Sequence, residues 1–160
     1  MRAQSKPKMV RLTPVTTSLT DVAVLDWDFA PFAEQVSLQD SAEVPVIEYN
    51  GLSIMGSTST DGKDYLYSGG ARFNGAGTPG VRRCIIYTPA ADGRLTVTFH
   101  SNSTSARRLH IADNELHDLA TAEASTAEAS AVAELLGGNT YHIWVDNGGG
   151  GTISHLTYEL

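Results

Sequence analysis

Residues 137–160, GGNTYHIWVDNGGGGTISHLTYEL, contain two patterned segments separated by a run of glycines. Between residues 140 and 145 the side chains alternate with a period of two, which is typical of a half-buried β-strand. The four glycines at 148–151 lack Cβ atoms and admit positive φ, so they predict a turn. Residues 153–160 alternate again and place three side chains on one face, Leu156, Tyr158 and Leu160. Because free termini fray, we expect this last strand to lie inside a sheet.

Short strands recur at regular spacing upstream of this segment. Residues 95–99, LTVTF, predict a strand with Leu95, Val97 and Phe99 facing inward. Asn50-Gly51 favours a type I′ hairpin turn between residues 46–49 and 52–55. The other predicted strands are 21–29, with Trp27 as a core residue, 65–67, 71–73, 83–88 and 107–111. Such spacing predicts an all-β protein, an antiparallel β-sandwich of jelly-roll-like form, built as a single domain from residues 21–160.

Residues 120–136, ATAEASTAEASAVAELL, leave two alternatives open. Alanine, glutamate and leucine favour helix, and in isolation the segment predicts one. Every neighbouring segment is a short strand, however, and tertiary context often overrides propensity. We therefore predict a strand at 129–136.

Length, charge and hydropathy exclude several classes of protein. A chain of 160 residues fits one domain with a real core. No apolar run approaches the length of a transmembrane helix. Residues 1–20, predicted to be a flexible tail or linker, contain no acidic residue and no apolar segment of a signal peptide. They hold four of the 11 basic residues, so the remaining 140 residues carry 7 basic and 18 acidic groups, a net charge of −11. This acidity argues against nucleic-acid binding.

The residues that usually carry catalysis or bind metals form no motif in this chain. The single cysteine, Cys84, excludes an internal disulfide and lies in an apolar run, so we predict a buried hydrophobic role. The loop 61–64 contains oxygen donors but lacks the ligand spacing of a calcium loop. The sequence therefore does not support a structural calcium site, and we expect a solvated turn. Asp26 and Asp28 share one face of a strand but form no recognised catalytic motif. We predict no cofactor and no enzymatic activity; a small hydrolase would require a cleft with convergent carboxylates.

Three segments and the start of the domain resemble carbohydrate-binding modules of the type attached to bacterial pectate lyases, family 77. The segment 80–89, GVRRCIIYTP, resembles their Ser-Arg-x-Ile-x-Phe-x-x-Pro strand. Residues 93–99 and 107–113 resemble their Gly-x-Leu-x-Val and Arg-x-Leu strands. The C-terminal segment is the third match, and Trp27-Asp28-Phe29 resembles their opening.

The resemblance implies a secreted antiparallel β-sandwich that binds plant cell-wall polysaccharide, chiefly the galacturonan backbone of pectin, without catalysis. Its expected partners are an acidic polysaccharide and an attached catalytic domain in a larger parent chain. Basic side chains on a shallow surface would hold the galacturonate carboxylates. All seven basic residues of the predicted domain lie between Lys63 and Arg108, so a local basic patch can coexist with the acidic net charge.

The candidate ligand-binding residues are Lys63, Tyr65, Arg72, Arg82, Arg83, Arg107, Arg108 and Trp144. For Arg83 and Arg107 the alternative is internal pairing at the rim of the sandwich, since buried arginine is retained only when paired. For Trp144 the alternatives are an exposed platform for sugar stacking and a side chain packed under a loop. The alternative for the whole chain is a structural or interaction sandwich, a spacer or adhesin domain without glycan affinity.

Overall fold

The computed structural model describes residues 23–160 and consists of two antiparallel β-sheets. The predicted tail at 1–20 lies outside the described residues. Thirteen strands are numbered in chain order: β1 Val24–Trp27, β2 Val36–Ser37, β3 Val46–Tyr49, β4 Leu52–Met55, β5 Tyr65–Tyr67, β6 Gly70–Arg72, β7 Cys84–Tyr87, β8 Gly93–Ser101, β9 Arg107–Ala112, β10 Asp118–Ala124, β11 Ala129–Leu135, β12 Tyr141–Asp146 and β13 Gly151–Glu159. A short 3₁₀ helix, Ala30–Phe32, follows β1.

Within residues 23–160, seven strands form one sheet and six form the other. The first sheet runs in the order β11-β8-β13-β6-β5-β2, and β1 pairs with β13 beside β6. The second runs β10-β9-β12-β7-β4-β3. The predicted β-sandwich is therefore confirmed, and the C-terminal strand β13 lies inside its sheet as expected.

Period-two alternation places the core between the sheets. Leu95, Val97 and Phe99 of β8 are completely buried, and so is Trp27. Two neighbouring rings, those of Trp27 and Tyr87, meet edge to face at 5.2 Å between centroids. Tyr87 in turn meets Tyr158 at 5.4 Å. The predicted core roles of these apolar faces are confirmed.

The hairpin at residues 46–55 follows the predicted register. Asn50 and Gly51 both have positive φ, 48° and 95°, as a type I′ turn requires. Tyr49 pairs with Leu52 across the turn. The chemistry of one dipeptide thus determined this edge of the six-stranded sheet.

The segment 120–136 is extended, which confirms the strand predicted at its C-terminal end. β11 covers Ala129–Leu135 and pairs with β8 along its whole length. The strand β10, which pairs with β9 at the corresponding edge of the other sheet, was not predicted. Within the described residues the structure contains no α-helix, because backbone pairing with neighbouring strands overrides the helix propensity of alanine and glutamate.

Two details of the C-terminal segment differ from the prediction. Gly151, the last of the four glycines, already belongs to β13 and pairs with Ser101. The register then shifts between Ile153 and His155, a β-bulge that turns both Ile153 and Leu156 into the core. Leu160, predicted on the same face as Leu156 and Tyr158, follows the end of β13 and is 41% exposed.

Candidate functional site

The outer face of the seven-stranded sheet carries an aromatic and basic cluster near its β2 edge. On β5, Leu66 is fully buried while Tyr65 and Tyr67 point outward and are half-buried. On β6, Ala71 faces the core and Arg72 points outward beside the tyrosines. Alternation along two short strands therefore brings two phenol rings and a guanidinium to one surface.

Strand register extends this cluster into a row that crosses four neighbouring strands. Tyr65 of β5 lies opposite Arg72 of β6, and Arg72 lies opposite Thr152 of β13. Thr152 lies opposite His100 of β8. We call these four residues the cross-strand row. Because adjacent strands are about 4.8 Å apart, the row spans ~14 Å of the sheet surface.

Arg72 is held in place without a carboxylate partner among residues 23–160. Its Nη1 donates to the backbone oxygen of Lys63 at 2.7 Å. Its guanidinium carbon lies 5.7 Å from the centroid of the Tyr65 ring, within the range of a cation–π interaction. The ion pairs of the described residues involve other arginines. Arg72 therefore presents an oriented but uncompensated positive charge on the surface.

The two tyrosine rings support each other at right angles. Their centroids are 5.4 Å apart and their planes meet at 74°, an edge-to-face contact. Gly69 lies against the ring of Tyr67, so closely that a Cβ at this position would come within 2.5 Å of the ring carbon Cζ. The orientation of Tyr67 thus depends on the absence of a side chain at residue 69.

A shallow polar groove of about 350 Å³ runs beside the row. It is lined by Tyr67, Arg72, His100, Ser101, Asn102, Thr126 and Thr152. Thr152 Oγ1 donates to Asn102 Oδ1 at 2.7 Å, and Asn102 Nδ2 donates to the oxygen of Phe73 at 2.9 Å. These bonds fix the floor of the groove, in which Thr152 is 1% exposed, and the half-buried imidazole of His100 lies beside it.

Lys63 contacts Arg72 through its backbone oxygen. Its backbone N–H donates to Gln39 Oε1 at 2.8 Å and to Asp61 Oδ1 at 3.0 Å, so the backbone is fixed while the residue itself is exposed. The bond from this N–H is the main cause that lowers the pKa of Asp61 below its usual value. Three of the predicted ligand-binding residues, Lys63, Tyr65 and Arg72, are therefore brought together.

Arg83 has a different place, inside the protein. Its Nε lies 3.0 Å from Asp64 Oδ2, and the side chains are 15% and 0% exposed. Asp64 also accepts hydrogen bonds from the hydroxyl of Ser57 and the backbone N–H of Asn74. Arg83 has φ +51° and directly precedes β7, so the strand predicted at 83–88 begins one residue later. Arg83 is therefore paired within the protein, as the alternative to ligand binding predicted.

The remaining predicted arginines lie apart from the cross-strand row. Arg107 donates to backbone oxygens of Ala106 and Asn147 at 3.3 and 3.4 Å. Arg108 is exposed but paired with Glu123. Arg82 donates to Thr78 Oγ1 at 3.1 Å in the loop before β7. Within residues 23–160 Arg107 Nε is buried without a hydrogen-bond partner, and of these three arginines Arg108 alone has a carboxylate partner. These arginines therefore differ from Arg72 in their place on the protein, since none lies beside the cross-strand row.

Trp144 requires a correction, because it is 7% exposed and cannot act as an exposed platform. Its ring stacks on His110 at 4.6 Å between centroids, with 8° between the planes. The loop at residues 74–83 folds over the same face; a Cβ on Gly77 would lie 2.9 Å from the Cβ of Trp144. The alternative of packing under a loop is therefore correct. Cys84 is completely buried in the same small cluster, as predicted.

Sequence reasoning missed His100, Asn102 and Thr152. Alternation along LTVTFH did contain a signal, since it places His100 on the face opposite Leu95 and Phe99. The pairing of β8 with β13 and of β13 with β6 involves segments far apart in the chain. Only that pairing brings His100 and Thr152 next to Arg72.

The acidic and imidazole side chains of the described residues form pairs and small groups. His110 bonds both Asp118 and Asp146. The described residues contain no group of three or more His, Cys, Asp or Glu side chains arranged to hold a metal ion. Asp26 bonds His155, whereas Asp28 accepts from the backbone N–H of Ala30, so these two carboxylates serve separate partners. None of the helices in this part of the chain has the length and hydropathy needed to cross a bilayer.

Comparisons with known proteins show no family for this chain. No family model matches it, and no curated protein matches it. Among solved structures it is similar to CBM35 from Cellvibrio japonicus Abf62, with 17% identity, a TM-score of 0.39, and coverage of 78% of this chain and 92% of that chain. A CBM4 structure is similar at 10% identity and a TM-score of 0.28, covering 91% and 90%. Both TM-scores are below 0.5, so neither similarity carries weight for function.

Proposed function

We propose that this protein is a noncatalytic module that binds an acidic plant cell-wall polysaccharide, homogalacturonan, across the outer face of its seven-stranded sheet. The observation that carries the proposal is Arg72, a surface cation held over Tyr65 without a carboxylate partner among the described residues. A cation in that state is suited to an anion supplied from outside the chain.

The geometry of Arg72 suits a carboxylate. Nη1 is occupied by the oxygen of Lys63, whereas Nε and Nη2 have no hydrogen-bond partner within residues 23–160. These two groups form one edge of the planar guanidinium, the edge that binds a carboxylate through two parallel hydrogen bonds. Each galacturonate residue carries such a carboxylate.

The aromatic and polar groups beside Arg72 suit the rest of a sugar ring. Tyr65 and Tyr67 present half-buried ring surfaces that an apolar pyranose face can cover. The half-buried His100 supplies an imidazole group for sugar hydroxyls, above a floor formed by Thr152 and Asn102. The groove is shallow and open, as the binding of a polymer with two continuing ends requires.

The salt dependence of binding reports whether charged groups contact the ligand. The net charge of −7 repels a polyanion at long range, whereas Lys63 and Arg72 attract it locally. Salt screens exposed charges over a Debye length of about 10 Å at 0.1 M. Contacts with the carboxylates should dominate once the ligand is bound, so retention by homogalacturonan should weaken as salt increases.

Such a module would hold an attached catalytic domain close to its substrate by raising the effective concentration. We also propose that the parent protein is secreted and degrades pectin. The proposals of an attached catalytic domain and of secretion rest on the resemblance of the strand series to modules of pectate lyases.

A second candidate is a structural or interaction sandwich without glycan affinity. It is favoured by three arginines that are paired within the protein, Arg83 with Asp64, Arg94 with Glu134 and Arg108 with Glu123. Arg72 is the residue that distinguishes the two candidates. A binding module uses its free Nε and Nη2 edge for the ligand, whereas in a spacer Arg72 serves only its contacts with Tyr65 and the backbone oxygen of Lys63.

Affinity electrophoresis and calorimetry with homogalacturonan of low ester content, at two salt concentrations, test the proposal. Xylan and cellulose serve as uncharged controls. We expect salt-sensitive retardation by homogalacturonan alone. If no glycan retards the protein, the proposed binding function is wrong and the spacer function is favoured. Equal retardation by xylan would retain glycan binding but contradict recognition of the carboxylate.

A further inference from the structure

His100 lies at the end of the cross-strand row and lines the groove that Arg72 also lines. It is half-buried on β8, between the inward-facing Phe99 and Ser101. Its position opposite Thr152 separates it from Arg72 by one strand, a distance of ~10 Å across the sheet. A ligand that reaches from one residue to the other would contact both.

The hydrogen bond of His100 determines the tautomer of its ring. Nδ1 lies 2.9 Å from the backbone oxygen of Ser101. A carbonyl oxygen only accepts, so Nδ1 carries a hydrogen atom and donates it. In the neutral ring Nε2 is then an acceptor, and it has no hydrogen-bond partner among the described residues. Protonation at Nε2 turns this acceptor into a charged donor without disturbing the bond to Ser101.

The other groups of the groove do not neutralise that charge. Its lining contains one charged side chain, Arg72, and one further titratable group, the phenol of Tyr67. The other lining residues, Thr152, Asn102 and Thr126, do not titrate. Outside the lining, Glu128 directly precedes Ala129, which pairs with Phe99 beside His100, and its carboxylate accepts a hydrogen bond from Ser154 Oγ at 2.6 Å. Among residues 23–160 no hydrogen bond joins Glu128 to His100, so Nε2 can take a carboxylate supplied by a ligand as its partner.

We propose that His100 is a protonation-dependent contact for a second carboxylate of the same acidic glycan, so that acidification tightens binding. The inference rests on the proposed function. Histidine changes charge between about pH 5 and pH 8, while carboxylates with ordinary pKa values near ~4 stay ionised there. The ligand gives the protonated ring a partner, so binding is strongest on the acidic side of this range and weakens as pH rises.

Calorimetry with homogalacturonan oligomers at about pH 5.5 and about pH 8 tests the proposal. We expect the affinity of the natural sequence to be about tenfold higher at the lower pH, the scale of one charge-assisted hydrogen bond. His100→Asn keeps an N–H donor near the position of Nδ1 but cannot titrate. It should bind as the natural sequence does at the higher pH, with an affinity ratio near one.

Two controls separate the possible failures. His117→Asn removes an imidazole that is 72% exposed and lies on the loop before β10, so it should keep the full pH dependence. Binding by the natural sequence that does not change with pH, or that changes equally in His100→Asn, would overturn this inference alone. Absence of binding at both pH values would overturn the proposed function and this inference together. Melting temperatures of both variants establish that they fold.

Discussion

Arg72 lies directly opposite Tyr65 on neighbouring strands, and its guanidinium carbon is 5.7 Å from the centroid of the tyrosine ring. The same guanidinium is tied to the backbone oxygen of Lys63. Ring and carbonyl together limit the rotamers of a long side chain, and this reduces the entropy that a ligand contact must overcome. If Arg72 contacts the proposed ligand, this restraint lowers the entropic cost of the contact.

Replacing Arg72 should therefore weaken binding of homogalacturonan more than replacing any other basic residue of the outer sheet face. We expect Arg72→Ala to lower affinity about tenfold or more, the scale of hydrogen bonds to a charged group. Arg72→Lys should retain part of the affinity, because the charge remains and the planar fork is lost. Calorimetry measures both.

Arg94→Ala is the matched control, since Arg94 is exposed on the same sheet but paired with Glu134 at 2.7 Å. Its affinity should stay close to that of the natural sequence. An equal loss in Arg94→Ala would show a general effect of positive charge and contradict a specific contact at Arg72.

Gly69→Ala should disturb ligand binding without touching the ligand. The added Cβ would meet the ring of Tyr67 at about 2.5 Å, so the ring must move from its present place. Because the ring lies at the end of a rotatable side chain, the cost in stability should be small. We expect a loss of affinity of about two- to tenfold, the scale of one aromatic contact. Ser68→Ala, at an exposed position, is the control for electrophoresis and thermal melting.

The ion pairs of Arg83 and Arg108 should differ sharply in their importance for stability. Asp64→Ala leaves the largely buried Arg83 without its carboxylate partner and should lower the free energy of unfolding by about 3–5 kcal/mol. Arg108→Ala removes a solvent-exposed pair with Glu123, and we expect almost no change. Urea denaturation of both variants provides the comparison. Equal losses would contradict the burial of the Asp64–Arg83 pair.

His142 should make the protein less stable in acid. It is 8% exposed, its Nε2 lies 3.1 Å from Asn114 Oδ1, and its Nδ1 is buried without a partner among residues 23–160. Burial lowers the pKa of His142 below the ordinary 6.5. The unfolded chain then binds a proton more readily, so the stabilising effect of the neutral ring is present above about pH 6.5 and is lost as pH falls below it.

His142→Gln keeps an N–H donor near the position of Nε2 and removes the titration. Thermal melting between about pH 8 and pH 5 should show a smaller loss of stability in this variant than in the natural sequence. His117→Gln, at a highly exposed position, should follow the natural sequence. Parallel curves for all three proteins would contradict this role of His142.

Much of the fold was accessible from local patterns. Alternation in residues 95–99 predicted which side chains of β8 face the core, and Asn50-Gly51 predicted the first hairpin with its register. Both signals act over a few residues, where side-chain direction and turn geometry follow from the backbone itself. β10 escaped prediction because alanine-rich sequence favours helix until neighbouring strands compete for its backbone.

The candidate site was predictable only in part. Lys63, Tyr65 and Arg72 belong to one short stretch of sequence, and the common face of Tyr65 and Arg72 follows from strand alternation and the pairing of β5 with β6. The separation of Arg83 from this group does not, because its partner Asp64 is 19 residues away and is buried by other elements. The role of Trp144 was also hidden, since a loop distant in sequence covers its face of the sheet.

By itself the sequence determined the class of fold, the core faces of the strands and the presence of basic residues near Tyr65 and Tyr67. Tertiary structure decided which arginines are paired and which groups surround Arg72. His100 and Thr152 reach the cross-strand row through pairing of β8, β13 and β6. The physical reason is that the direction of a side chain is a local property of its strand, whereas its neighbours across the sheet depend on register between segments far apart in the chain.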